Sequence, residues 1–402
     1  MDVQSNWFIA DEDGVLADGT RPRLHKAIRS CALTSAVVED PCLIADEWRQ
    51  LSSEGCGLTF YQSERWCRSW LAGCRASGVR EAARIVTVRE AGRLVLVWPL
   101  VLWHVGPARI LRPLGAPATQ YADVLIDPAT NVDAALQLAV QAISAMPGID
   151  AVLLKGVRAD SALARHRFPA HLSLRIKPRD EAPCLRLPSA APGEARPPLR
   201  SGKSLNALRR HERRLAEHGA LTYESVEGAA QVPALKASLA LKAKWLKARD
   251  TISAGYLHPA NAAVLLSLAE DGGFRMFRLL VGGELCASEF GILHRGRYIS
   301  MVQTYDERFS THSPGRLLLL HIFQSEAADI TLFDFMPPDA AHKAEWANGT
   351  VAIFDYAFAI TPLGRLALAY LGRVRPFLVR CFLALPGPVR DRIGQLSMVR
   401  NG

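Results

Sequence analysis

Ser313, Pro314, Gly315 and Arg316 stand in a row directly before an apolar run, Leu317 to Leu320. Upstream, an apolar segment, Tyr298 to Tyr305, gives way to a polar loop that opens with Asp306. The pattern predicts a strand, a polar turn and a helix that starts at the proline, because proline suits the first helical turn. A helix start presents unpaired backbone N–H groups and the positive end of a dipole, so it suits a phosphate. The Arg316 guanidinium adds a charge-assisted contact. Strand, turn and helix start together point to a seat for a phosphorylated cofactor; the bland alternative is an ordinary strand-to-helix loop.

The elements that must hold this seat follow the hydrophobic periodicity. Leu221 to Val226 reads as a strand. Pro233 opens a helix to about Arg249, and Pro259 opens another to Glu270. Phe274–Val281, Leu285–Leu293 and Arg297–Tyr305 read as a three-stranded meander, joined at Gly282-Gly283-Glu284 and His294-Arg295-Gly296. The helix from Pro314 runs to about Ala327. A strand over Ile330–Met336, a short helix near Ala340–Trp346 and a strand over Val351–Ile360 follow. In the first half, Ser63 caps a helix bearing Trp66 and Trp70. Arg84–Val88 and Leu94–Leu102 form a hairpin at Ala91-Gly92, Tyr121–Ile126 is a strand, Asp133–Met146 a helix and Ala151–Leu154 a buried strand.

Prolines and glycines crowd residues 188–204, which read as a linker. A basic helix, Lys203 to His218, comes next, with Leu205, Leu208 and Leu215 on one face. Arg209 and Arg213 stand on the rest of it. They read either as a solvated surface or as a basic wall beside a phosphate-bearing ligand. The division is therefore a partly ordered extension (1–37), a first domain (38–187), the linker (188–204), a second domain (205–360) and a basic tail (361–402).

The chain has 402 residues, enough for two domains. A hydrophobic content of 49% and a charged content of 22% belong to a globular protein rather than a disordered one. Net charge is +9, which favours anionic partners without choosing among nucleic acid, lipid and phosphorylated substrates. Eight scattered cysteines form no C-x-x-C and no zinc spacing, so reduced buried thiols and no metal are expected. The sequence shows neither a signal peptide nor an apolar run long enough to cross a membrane. The tail carries seven arginines against one aspartate, interleaved with Leu, Phe and Val. It reads as a terminal helix packed on its own domain or as an interfacial helix pair on anionic lipid.

Strand, two helices, three-stranded meander, helix, strand, helix, strand is the order of the GNAT acyltransferase fold. Two such units in one chain resemble the FemAB-like double-GNAT proteins. The details resemble the CelD-type branch associated with cellulose and exopolysaccharide biosynthesis. The residues that carry this are Arg209 to Gly219, Lys242-Ala243-Lys244-Trp245, Tyr305-Asp306, Ser313-Pro314-Gly315, Phe333-Asp334-Phe335 and Lys343, with Phe60 to Trp66, Pro113-Leu114-Gly115 and Tyr121-Ala122-Asp123 in the first half. Two departures stand out. His342 replaces the usual aromatic before the lysine, and Pro337-Pro338 replaces a glycine after the Asp-Phe strand.

The resemblance implies an α/β (α+β) fold of two tandem GNAT-like domains. Only the second has a cofactor loop, and acyl-CoA (acetyl-CoA first among them) is the expected donor. Ser313, Gly315 and Arg316 would hold the pyrophosphate, and the backbone of Val302, Gln303 and Thr304 would pair with the pantetheine arm. An amine then attacks the thioester, and a base must take its proton. Asp306 is the first candidate, or else an Asx turn closing the loop. Asp334, alternating away from its two phenylalanines, is a base with a raised pKa or a satisfied structural acid. His342 is the third. Lys343 matches a family lysine that contacts substrate, Tyr305 is a proton donor to the thiolate or a core aromatic, and Tyr121 and Asp123 line an acceptor groove or serve structure. Asp306→Asn and Lys343→Ala are each expected to lower transfer at least about tenfold.

The function implied is N-acyl transfer to an amino sugar or glycan precursor, in the cytoplasm or at the inner face of the membrane. The acceptor is a small molecule or a lipid-linked glycan, and no specific nucleic acid is expected. Two alternatives remain: FemAB-type aminoacyl transfer from tRNA, and a non-catalytic scaffold of a membrane glycan synthase.

Overall fold

The structure, a computed structural model, describes residues 33–54, 60–188, 200–249 and 258–384. The first half runs β1 (Leu33–Val38), α1 (Ala45–Glu54), α2 (Glu64–Ala76), β2 (Ala82–Glu90), β3 (Arg93–Val105), β4 (Ala108–Pro113), a short β5 (Leu125–Ile126), α3 (Val132–Ser144), β6 (Ala151–Arg158), α4 (Ala162–Arg165) and β7 (Arg175–Arg186). Helix α5 (Gly202–Ala216) follows. The order then repeats as β8 (Leu221–Val226), α6 (Gln231–Ala248), α7 (Pro259–Glu270), β9 (Arg275–Val281), β10 (Glu284–His294), β11 (Arg297–Tyr305), α8 (Pro314–His321), β12 (Leu332–Asp334), α9 (Ala341–Ala344) and β13 (Gly349–Ala359). Two tail helices, α10 (Pro362–Ala369) and α11 (Arg375–Leu383), close the described chain.

Local chemistry explains the element ends. Ser63 accepts from the Trp66 N–H and Asn131 from the Ala134 N–H, so α2 and α3 start where a side chain satisfies an orphan donor. The β2–β3 and β9–β10 hairpins turn on Ala91-Gly92 and Gly282-Gly283, each with positive φ at both residues, the geometry whose twist matches paired strands. In β11, Gly291 pairs with Ser300 and Phe290 with Val302, leaving Met301 as an extra residue. Such a bulge bends a strand and re-aims the side chains beyond it. Here those are Gln303 and Tyr305.

The strands form one mixed sheet in the order β1-β2-β3-β4-β6-β13-β7-β12-β11-β10-β9-β8, with β5 alongside β3. That order reads alike from either end. Each half surrenders its last strand: β13 pairs with β6 of the first half, β7 pairs with β12 of the second, and β7 and β13 pair with each other. The parallel pairs β4–β6 and β11–β12 occupy matching places, each joined by a crossover that carries α3 or α8. Helices α2 and α7 complete the joint between halves. A Cβ on Gly73 would lie 2.9 Å from Val264 and 3.1 Å from the Ala260 carbonyl, so only glycine allows that approach.

The α/β fold of two tandem GNAT-like units, each a mixed sheet flanked by helices, is the architecture found. Several elements differ from expectation. Leu33–Val38, placed in the polar extension, is an edge strand paired with β2; residues 1–32 lie outside the described residues. Of Tyr121–Ile126 only Leu125–Ile126 is a strand, because the preceding residues point their side chains into the core as a loop. Strands β4 and β7 escaped the pattern. The exposed half of β7, Arg175 to Glu181, is mostly charged, with only Ile176 and Pro178 apolar, and its ladder partner lies far off in sequence. Residues 189–199 of the linker lie outside the described residues, and α5 starts at Gly202, inside the expected linker.

Candidate active site

Strands β11 and β12 run in parallel only from Arg297 to Ile299, opposite Leu332 to Asp334. Beyond that β12 ends while β11 runs on to Tyr305, leaving a gap beside it that the helix start at Pro314 faces. Ser313 sits in the left-handed region (φ 53) and turns the chain into α8. Its carbonyl takes the Arg316 and Leu317 N–H groups. A cleft of about 320 Å³ opens here, lined by Gln303, Tyr305, Ser310, Ser313, Pro314, Gly315, Arg316, Leu319, His342 and Trp346. A Cβ on Gly315 would meet only the Tyr305 ring, at 3.8 Å. Packing therefore does not demand glycine at this position, and the space above it is open to a ligand. The helix start expected from sequence is present and borders this cleft. The Arg316 guanidinium is paired with Glu345, which also takes Arg200 at 3.5 Å.

The expected residues divide. Gln303, Tyr305, Ser313, Gly315, Arg316 and His342 meet around this cleft. Val302 and Thr304 alternate to the opposite face and are buried, leaving only their backbone near the gap. The Gln303 carbonyl accepts from Lys242 Nζ at 2.9 Å. Tyr305 accepts from Arg249 Nη2 at 2.9 Å. Partial desolvation, and then the charge of neighbouring Lys343, hold the His342 pKa below its ordinary value, so its imidazole is neutral at pH 7.

Asp306 takes the capping role. Its carboxylate accepts from the Arg308 backbone N–H at 3.0 Å and from the Arg308 guanidinium at 2.8 and 3.0 Å. Those hydrogen bonds hold its pKa below the usual carboxylate range. It faces a separate groove with Trp245, Glu284 and Glu307. Asp334 is the satisfied structural acid. Fully buried, it accepts from Arg158 Nη1 at 2.6 Å, Tyr121 Oη at 2.8 Å, the Met336 N–H at 2.9 Å and Arg297 Nη1 at 3.3 Å. Tyr121 is thus a partner of Asp334 in the joint between the halves. Asp123 is buried beside it; desolvation pushes its carboxyl up to about 7. Neither lines an open groove. Arg209 and Arg213 are exposed on α5, which packs beside the 307–312 turn and α8, away from the cleft lining. Lys343 donates to the Met336 carbonyl at 2.7 Å and the Pro338 carbonyl at 2.9 Å.

Two groups near the gap were not among the expected site residues. Lys242 reaches it from α6, and burial lowers its pKa to about 8. Glu289, opposite Gln303 in the ladder, is fully buried. Burial pushes its carboxyl up to about 8, Tyr298 donates to one oxygen at 3.2 Å, and the other has no hydrogen-bond partner. A polar residue amid an apolar strand, Ser288-Glu289-Phe290, was the signal available. Elsewhere, Cys74, Glu81 and His258 offer potential metal-ligand atoms within 4.8 Å of one another. Glu81 already carries Trp70 and Arg112, and burial pushes the Cys74 thiol up to about 12.

Residues 202–344 match the family described as Acetyltransferase (GNAT) domain, whose members use acyl-CoA donors. No curated protein matches the chain. Among solved structures, FemX is 12% identical with a TM-score of 0.54, covering 80% of this chain and 98% of that one. The C-terminal domain of a candidate lysylphosphatidylglycerol synthetase from Agrobacterium fabrum is 15% identical with a TM-score of 0.50, covering 83% and 97%. A conserved protein of unknown function from Bacteroides thetaiotaomicron is 12% identical with a TM-score of 0.50, covering 81% and 99%. These likenesses show the fold across both halves.

Proposed function

With an acetyltransferase (GNAT) domain over residues 202–344 supporting an acyltransferase, we propose that the protein transfers an acyl group, in the first place acetyl, from acyl-CoA to the amine of an amino sugar or related glycan precursor. The CelD-type resemblance assigns this to exopolysaccharide or envelope biosynthesis, on the cytoplasmic side of the membrane. The observation that carries the reading is the open cleft over Gly315, where a glycine serves no internal packing contact. The Gly315 N–H and the dipole of α8 receive phosphate oxygens, and Arg316, drawn from Glu345, adds charge.

Acyl-CoA supplies an activated thioester; the chain supplies position and proton transfer. His342, neutral and at the cleft, takes the proton that the attacking amine loses. Tyr305, its phenol oxygen held by Arg249, gives a proton to the departing thiolate. Asp306 and Asp334 hold the framework instead, since their oxygens are already committed to arginines.

Thermal denaturation with and without acetyl-CoA tests the donor. Stabilisation in the wild type, lost in Gly315→Val, is expected. A wild type that no acyl-CoA stabilises would leave the aminoacyl-tRNA route or the scaffold reading in its place. Mass spectrometry of small molecules carried through purification identifies the acyl chain directly.

A further inference from the structure

Strands β6, β13 and β7 lie side by side, and residues paired across them share a face. On the face that α10 covers, Ala151 and Leu153 of β6 and Ala357 of β13 pack against Ala367 and Leu368 of the helix. Past this apolar patch the same face turns basic. Asp355 pairs with Lys155 on one side and Lys177 on the other, and Ala357 pairs with Arg175. Arg175, at the start of β7, and Arg365, on α10, line one pocket of about 250 Å³ with the small residues Ser173, Ala357 and Ala359 and the apolar Leu368.

Both guanidinium groups are exposed, and neither has a hydrogen-bond or ion-pair partner among the described residues. No carboxylate lines the pocket. Two acids border the region, and both are committed. Asp355 accepts from the Gly156 N–H at 3.1 Å and from Arg179 at 3.2 Å. Asp150, at the start of α10, accepts from the Arg109 N–H at 2.8 Å and from the Thr361 hydroxyl at 2.6 Å. Helix α11 adds to the positive field: desolvation lowers the Lys155 pKa, Asp355 raises it, and Arg179, Arg375 and Lys177 lower it further. Two guanidinium forks without a carboxylate suit a phosphate, which each can grip through parallel N–H groups. The helix itself selects the kind of phosphate. Leu363, Leu366 and Tyr370 stand exposed on α10. An apolar edge beside a basic pocket matches a bilayer surface, where acyl chains lie next to anionic headgroups; it does not match a nucleic acid or a free sugar phosphate.

We propose that the pocket between Arg175 and Arg365 binds the phosphate of an anionic phospholipid headgroup, while Leu363, Leu366 and Tyr370 enter the bilayer beside it. The site would fix the sheet, and not only the tail, against the membrane surface. It does not depend on the acyltransferase reading.

The full chain is floated with phosphatidylcholine vesicles, with and without phosphatidylglycerol. Binding is expected only where phosphatidylglycerol is present. Arg175→Gln with Arg365→Gln should weaken it at least about tenfold, since each basic residue at an anionic surface contributes roughly a factor of five. Both side chains are exposed, so Tm should not move. Arg175→Lys with Arg365→Lys keeps the charge without the fork and should recover only part of the binding. Arg365→Gln alone should cost more than Arg373→Gln, a tail arginine outside the pocket. Equal binding to both vesicles, full recovery with lysine, or equal losses at Arg365 and Arg373 would each overturn the inference. So would a chain that binds neither vesicle, and one that does so while inorganic phosphate raises its Tm would have a soluble ligand in the headgroup's place. The CoA shift in Tm should survive in every variant, which separates failure here from failure of the acyltransferase reading.

Discussion

Asp306 and His342 differ in what holds them. Three hydrogen bonds from Arg308 pin the first and favour its ionised form; the second is neutral and faces the cleft. His342→Gln is therefore expected to lower kcat at least about tenfold with folding intact, measured as acetyl transfer. The acid limb of the wild-type rate profile should lie below the ordinary histidine pKa, and the variant should lack it. Asp334 answers to a different assay. Asp334→Asn removes the fully buried partner of Arg158 and leaves that guanidinium only Asp160, so denaturant unfolding should show a loss of up to about 3–5 kcal/mol. Buried acids also set a pH dependence. Glu289 and Asp123 are raised to about 8 and about 7, above their ordinary values of 4.5 and 3.8. In that window the unfolded chain has released protons that the folded chain keeps, so stability falls as pH rises toward 8. In Glu289→Gln the fall should be shallower and should finish nearer pH 7.

At the scale of elements, two glycines make opposite predictions. Gly315 borders open space, so Gly315→Val should unfold at the wild-type temperature yet fail to bind CoA. Gly73 is wedged between α2 and α7, so Gly73→Leu should cost about 1–3 kcal/mol by overpacking and leave CoA affinity unchanged in whatever folds. The helix start at Pro314 was legible because proline, glycine and a following leucine run are local signals. The second-half meander was legible for the same reason: its turns need positive φ and carry glycine. Strand β7 was not, because its pairing with β12 and β13 is fixed by residues more than a hundred positions away and leaves no periodic trace in its polar stretch.

At the scale of the whole molecule, the exchanged strands make the two halves one folding unit. A fragment of residues 200–384 lacks both β6 and β7, the strands that flank β13. It should show no cooperative thermal transition, whereas the full chain shows one. The described residues include no helix long and apolar enough to cross a membrane. The tail nevertheless bares a stripe at helical spacing: Leu363, Leu366, Tyr370, Val374, Phe377 and Leu378 are 38 to 70% exposed. Arg365, Arg373, Arg375 and Arg380 accompany it, with no acidic residue from Thr361 to Arg390. Such a face suits anionic lipid. The full chain should float with phosphatidylglycerol vesicles and not with phosphatidylcholine ones, and Leu366→Asp with Phe377→Asp should abolish flotation.

The sequence by itself determined the element order of the second half, the anion-ready helix start and the α/β class, because capping, turn and periodicity rules act over a few residues. It also brought the candidate acids into view without ranking them. Only the tertiary structure decided their roles. Whether a carboxylate is a base or a buried counter-ion depends on which arginine the fold delivers to it, and Arg158 comes to Asp334 across the exchanged strands.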